Sequence, residues 1–142
     1  SDEIWNLVVG EDVGGIDTYN GTSGQDILMA GLTESTLNGG DGKDILIGDT
    51  NGYKTNFILG DGEEAWDNIS DMIQNFGAED TLDLSRLGIE SVDELYIVDG
   101  SKLMTDRGSD EVQIAEFTNF QNELTIEEML IQESTILYAT IA

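Results

Sequence analysis

The residues of this chain that could do chemistry are carboxylates set at a fixed interval among glycines. Residues 12–47 form four consecutive nine-residue units, DVGGIDTYN, GTSGQDILM, AGLTESTLN and GGDGKDILI. Position six reads Asp17, Asp26, Ser35, Asp44, and position eight reads Tyr19, Leu28, Leu37, Leu46. Glycine permits the positive φ values that let a tight turn aim several carbonyl oxygens at one point, and position six adds a carboxylate. Such an all-oxygen set suits calcium, a hard cation that takes six to eight oxygens. Magnesium wants a smaller and stricter octahedron, and zinc or iron favours His or Cys, neither of which occurs here. Asp is also common in Gly-rich turns for conformational reasons alone, but that preference does not produce one register held over four units.

To bring these carboxylates together the chain must coil. Each unit has a Gly-rich half that turns and a three-residue half that extends, so units one apart fall on opposite edges and units two apart stack. Asp26 and Asp44 then share one edge, and Asp17 and Ser35 share the other. After Ile47 a short insertion breaks the phase. The pattern is expected to resume as NGYKTNFIL, with Asn56 at position six, and then as GDGEEAWDNIS, with Asp67 at position six and Ile69 at position eight. One edge would read Asp26, Asp44, Asp67 and the other Asp17, Ser35, Asn56. This predicts two calcium ions on the first edge and at most one weakly held ion on the second.

The outward positions divide in the same way. Ile27, Met29, Ile45 and Ile47 belong to one face, and Thr18, Asn20, Thr36 and Asn38 to the other. A strand with aliphatic residues on both sides is normally buried on both, and four such side chains in the open are unusual on a monomer. The aliphatic face is therefore expected to be covered, by the rest of the chain, by a partner or by an upstream domain.

The flanking segments read as follows. Residues 1–11, with Leu7-Val8-Val9, form an N-terminal cap of the kind a repeat array needs. Residues 12–70 hold the repeats, and 71–133 form a strand-rich C-terminal cover. Within it, Leu82 and Leu84 set against Asp80 and Asp83 suggest a strand. For Asp71, Asp80 and Asp83, a solvated strand face and a ligand role are both open. Ser91-Val92-Asp93-Glu94 and Thr125-Ile126-Glu127-Glu128 are capping boxes, the second opening a short helix to about Ile131. A strand is expected over residues 95–98, a turn at Asp99-Gly100, and another strand in EVQIAEF. Residues 134–142, STILYATIA, contain no acid and read equally as a final strand or as a recognition signal.

Thirty Asp and Glu against five Lys and Arg give a net charge of −25 over 142 residues. Self-repulsion of that size opposes compaction, and a bound divalent cation would relieve it. Nucleic acid and anionic membrane are poor partners for this surface. No signal peptide or membrane span is legible, and the start at Ser1 without Met suits a piece of a longer protein. Without His or Cys there is no credible base beside a nucleophile, so no enzyme is predicted.

The repeats GTSGQDILM and GGDGKDILI, the latter a full match to G-G-x-G-x-D-x-U-x, lead into DMIQNFGAEDTLDLS. That order resembles the C-terminal regions of RTX proteins exported by type I secretion, among them adhesins, proteases and lipases. The likeness runs from about residue 12 onward and weakens after residue 91. Departures are Ser35 and Asn56 at position six, Asn75 in place of Asp, and the insertion after Ile47. The resemblance implies an all-β-dominant chain, a parallel β-roll with a C-terminal strand-rich cover and one or two short helices. It implies one calcium site formed by backbone oxygens of Gly21, Ser23, Gly40 and Gly42 with Asp26 and Asp44. A second would join Gly39, Asp41 and Asp44 to Gly60, Gly62 and Asp67. It further implies a secreted or cell-surface module that meets the type I secretion apparatus and folds on calcium outside the cell. An alternative resemblance, to the repeat modules of alginate epimerases, implies calcium-dependent polysaccharide binding, although Lys43, Lys54, Arg86, Lys102 and Arg107 are few and scattered.

Overall fold

The computed structural model describes residues 5–10, 17–22, 24–40, 42–60, 70–121, 123–131 and 136–138, without the side chain of Trp5. Strands dominate, with one short α-helix among the described residues. In chain order the first eight strands are β1 (Trp5–Val9), β2 (Asp17–Asn20), β3 (Gln25–Met29), β4 (Ser35–Asn38), β5 (Ile45–Ile47), β6 (Thr55–Ile58), β7 (Asp71–Gln74) and β8 (Thr81–Asp83). Odd-numbered strands join one sheet and even-numbered strands the other, and every pairing among the eight is parallel. The chain thus alternates between two sheets, as the two-unit periodicity requires.

A recurring triplet makes each strand: a polar residue, an outward residue, then an inward apolar one. In register, the inward row of the first sheet is Val8, Leu28, Leu46, Ile73. The second sheet supplies Tyr19, Leu37, Phe57, Leu82 and, from β12 (Ile136–Leu137), Ile136. Apart from the partly buried terminal pair Val8 and Tyr19, these side chains are buried, and both rows feed one core. Burying each contributes about 1.5–3 kcal/mol.

Two registers differ from the sequence expectation. β6 sets Thr55 opposite Ser35 and Phe57 opposite Leu37, so Thr55 takes position six in place of Asn56. Phe57 is thereby fully buried and Ile58 faces outward, half-buried. On the other edge, β7 sets Met72 opposite Ile45 and Ile73 opposite Leu46. Asp71 and Ile73 thus follow Asp44 and Leu46, where Asp67 and Ile69 were expected. Asp67 and Ile69 lie outside the described residues.

The C-terminal segment lengthens the first sheet. β9 (Leu95–Val98), β10 (Lys102–Arg107) and β11 (Asp110–Thr118) form an antiparallel meander, and β11 pairs parallel with β7. The sheet order is β1-β3-β5-β7-β11-β10-β9. Asp99 and Gly100 both adopt positive φ at the β9–β10 turn. Thr125 and Glu128 close a reciprocal capping box on α1 (Ile126–Leu130). Among the described residues the aliphatic face is left partly open. Met29 is 37% exposed, Leu7 and Val9 of the neighbouring β1 are 64% and 52% exposed, and Ile27, Ile45 and Ile47 are half-buried. The reason is geometric: edge-on pairing with β7 satisfies the backbone of β11 but carries the meander beside that face, not over it.

Phe76 ties the two parts together. Its ring lies 5.4 Å from Phe57, 5.6 Å from Phe117 and 6.0 Å from Phe120. Beside it, Asn75 holds the left-handed conformation (φ 64°), which Asn tolerates better than most residues. Its amide nitrogen donates to the carbonyl of Gly48 at 3.1 Å, and its amide oxygen accepts from Asn119 at 2.6 Å. A carboxylate could accept but not donate, which explains Asn at this place. Asn75→Asp should therefore destabilise the chain by about 1–3 kcal/mol. A lower urea midpoint at unchanged m-value would show this, and an unchanged midpoint would refute it.

Candidate metal centre

The site builds from the point where each strand begins. In a parallel ladder the N–H of one strand normally donates to a neighbouring carbonyl, and two position-six residues do this. Asp17 N–H donates to the carbonyl of Glu34 at 3.1 Å, and Ser35 N–H to that of Lys54 at 3.0 Å. Where the next position six is aspartate, its side chain takes the carbonyl's place. Asp26 N–H donates to Oδ1 of Asp44 at 2.9 Å, and Asp44 N–H to Oδ1 of Asp71 at 2.8 Å. On the second edge Thr55 N–H donates to Oδ1 of Asp80 at 2.7 Å. The first edge is thus a ladder of stacked carboxylates, Asp26, Asp44 and Asp71, all buried.

Asp26 and Asp80 are each finished by their own turn. Oδ2 of Asp26 accepts from Thr22 N–H at 2.7 Å, and Asn6 of β1 donates to Oδ1 at 3.0 Å, ending the ladder with a neutral amide. Oδ2 of Asp80 accepts from Gly77 N–H at 2.7 Å. Asp44 differs: its Oδ2 is buried and has no hydrogen-bond partner among the described residues. That atom sits against Gly39, where an added Cβ would lie 2.4 Å from it. A Cβ on Gly21 would likewise meet Oδ2 of Asp26 and the carbonyl oxygen of Gly39, both at 2.6 Å. Glycine is required because carboxylate and carbonyl pack directly on the Cα of the stacked turn. Gly40 and Gly42, with φ of 76° and 88°, shape that turn.

Burial pushes the Asp44 carboxyl up to about 9, the neighbouring Asp71 adds to the shift, and the N–H of Asp26 opposes it without cancelling it. Burial also raises Asp80 to about 6, against the pull of the Gly77 and Thr55 N–H groups. A buried carboxylate without full compensation gains protons or cations.

Of the residues singled out in the sequence, Gly21, Asp26, Gly39, Gly40, Gly42 and Asp44 converge on the first edge, in the stacked turns before β3 and β5. Gly60, with φ of 84°, turns the chain out of β6. Ser23, Asp41, Gly62 and Asp67 lie outside the described residues. The ladder acids Asp26, Asp44 and Asp71 come one from each stacked coil, and among the described residues no three His, Cys, Asp or Glu surround a common point. An ion here would therefore take much of its shell from turn carbonyls. Of the three acids open between ligand and solvated face, Asp71 and Asp80 are buried, so the solvated reading falls for them, whereas Asp83 is half-buried and accepts from Ser85 N–H at 2.9 Å. Their signal was the triplet itself, Asp71-Met72-Ile73 and Asp80-Thr81-Leu82, but Asp67-Asn68-Ile69 matches equally and spacing favoured it.

On the second edge, the loop after β5 and the turn before β8 flank an open cavity of about 280 Å³ lined by Asp49, Tyr53, Glu79, Asp80 and Gln121, among others. Among the described residues, no helix is long and apolar enough to cross a membrane. Against known proteins, the chain matches no family model and no curated protein.

The raised carboxyls set a pH dependence. Between the ordinary carboxylate value of 3.8 and the folded values of about 6 and about 9, the folded chain holds protons that the unfolded chain has released. Stability without metal should then fall as pH rises through this window. In chelator, the urea midpoint should be higher at pH 5 than at pH 8. Asp44→Asn combined with Asp80→Asn should flatten that slope, and a slope unchanged by the pair would contradict the assignment.

Proposed function

We propose that this chain is a calcium-binding module of the RTX type, a parallel β-roll that completes its fold when calcium enters the stacked turns. The observation that carries the reading is Oδ2 of Asp44, buried and without a partner among the described residues, in a glycine turn of a carboxylate ladder. A proton or a metal ion can compensate that oxygen, and calcium alone also uses the neighbouring turn carbonyls. The parallel pairing with alternation between two sheets supports the roll. In this proposal Asp26, Asp44 and Asp71 supply the carboxylates of the first edge, and the chain has no catalytic role.

The proposed setting follows from the charge. Cytosolic calcium lies far below the Kd of about 10⁻⁴–10⁻³ M usual for extracellular modules, and there the net charge of −25 favours an open chain. Outside the cell each site adds RT ln(1 + [Ca]/Kd), about 1.4 kcal/mol at tenfold excess and about 2.7 kcal/mol at hundredfold. Such a module would pass unfolded through a type I secretion apparatus and fold after export, as part of a larger secreted or surface protein such as an adhesin. A second reading, polysaccharide binding, is favoured by the outward face of the second sheet. Thr18, Asn20, Thr36 and Asn38 stand there in register without a charge, a surface suited to an uncharged polymer more than to an acidic one.

Circular dichroism and urea unfolding in EGTA and then in millimolar calcium test the first reading. Calcium should increase β structure and raise the midpoint. Asp44→Asn should keep or improve stability in EGTA, because it removes a carboxyl that must take up a proton to be buried, yet lose most of the calcium increment. Asp71→Asn should lose it too. A parent spectrum and midpoint indifferent to chelation would sink the proposal.

A further inference from the structure

The chain has three Asn-Gly pairs, Asn20-Gly21, Asn38-Gly39 and Asn51-Gly52. This dipeptide is where asparagine loses its amide most readily, because a following residue without a Cβ lets its backbone nitrogen reach the Asn side chain. The surroundings of the three pairs are unequal. Gly21 N–H is committed to the sheet, donating to the carbonyl of Asn38 at 2.8 Å. Asn38 is held at both ends of its amide: Oδ1 accepts from Gly40 N–H at 3.2 Å, and Nδ2 donates to Oδ1 of Asn20 at 3.3 Å. Gly39 is itself buried against Asp44. Asn51 and Gly52 are exposed in the loop between β5 and β6, with Gly52 at φ 97° and open space where a Cβ would be. The side chain of Asn51 is restrained by one exposed contact, Nδ2 to Oδ1 of Asp49 at 3.2 Å.

We infer that Asn51 is a site of spontaneous covalent modification, selected from the three pairs by the fold. The Gly52 nitrogen, giving its proton to hydroxide, attacks Cγ of Asn51. A carbon–nitrogen ring bond forms, the bond to the side-chain nitrogen breaks, and ammonia leaves with a proton from water. One water then opens the succinimide at either carbonyl, leaving aspartate or isoaspartate at position 51. No oxidant or reductant is needed. The product replaces the amide that donates to Asp49 with a carboxylate facing a carboxylate. Asp49 also holds this loop through Asn51 N–H at 2.7 Å and Tyr53 N–H at 3.0 Å. The change therefore loosens the loop and adds charge beside the cavity of Asp49, Glu79 and Asp80. This inference is independent of calcium binding.

Cleavage after lysine provides the test, because the peptide from Lys43 to Lys54 contains Asn51 alone, while Asn20 and Asn38 share the peptide before it. The intact folded chain is held in calcium at mildly alkaline pH, sampled over time, digested and analysed by mass. The peptide of residues 44–54 should exchange its amide for an acid several-fold faster than the peptide of residues 1–43, and should split into aspartyl and isoaspartyl forms. In denaturant the preference should vanish, the longer peptide with its two Asn-Gly pairs converting at least as fast as the shorter one with a single pair, and Asn51→Gln should abolish the change in the shorter peptide. Equal rates in the folded chain, or a preference that persists unchanged in denaturant, would overturn the inference.

Discussion

Among the described residues, three N–H groups at the starts of strands donate to an aspartate side chain where a backbone carbonyl would ordinarily stand. That substitution places carboxylates inside the structure, at Asp44, Asp71 and Asp80. Each carboxylate has about four acceptor positions, and burying one with few of them filled is costly. The turns answer the demand unequally. Gly77 serves Asp80, Thr22 serves Asp26, and Oδ2 of Asp44 is left without a hydrogen bond. The glycines at positions 21 and 39 follow from the same packing, since any Cβ would displace the carboxylate or the stacked carbonyl.

The parallel strands bury one continuous apolar interior because every triplet turns the same residue inward. Leu28, Leu46 and Ile73 face Leu37, Phe57 and Leu82 across it. The aromatic group around Phe76 then joins this interior to the C-terminal strands, and Asn75 fixes the chain reversal there through its paired donor and acceptor. Polar demand at the edges and apolar demand in the middle are thus met by neighbouring residues of one strand.

The two outward faces are different surfaces. One carries Leu7, Val9, Ile27, Met29, Ile45 and Ile47, partly open to solvent. The other carries Thr and Asn side chains that bond to one another from strand to strand, as Asn38 does to Asn20 and Thr81 to Asn56. A polar row that satisfies itself laterally is stable in water, whereas an aliphatic row gains nothing from exposure. The aliphatic face is therefore the part of the surface with most to gain from burial.

The sequence by itself determined the local grammar: the nine-residue period, the inward Leu28, Leu37 and Leu46, the alternation between edges, the capping box at Thr125 and the turn at Asp99-Gly100. Those features depend on contacts a few residues apart and on a repeat that copies itself. Tertiary structure alone decided which residues continue the pattern once the period lapses. Asp67, Asp71 and Asp80 each head a suitable triplet, and Asn56 and Thr55 compete for one position. The choice fell to the core, which needed Phe57 and Ile73 inward to meet Leu37 and Leu46, and each aspartate or threonine followed two residues behind. Tertiary structure also decided that β11 pairs edge-on with β7 and brings the meander with it, since sheet edges accept any extended backbone and side-chain patterns specify no partner for them. The carboxylates at the candidate centre were visible one at a time, and only stacking turned them into a ladder with an unsatisfied oxygen at its middle rung.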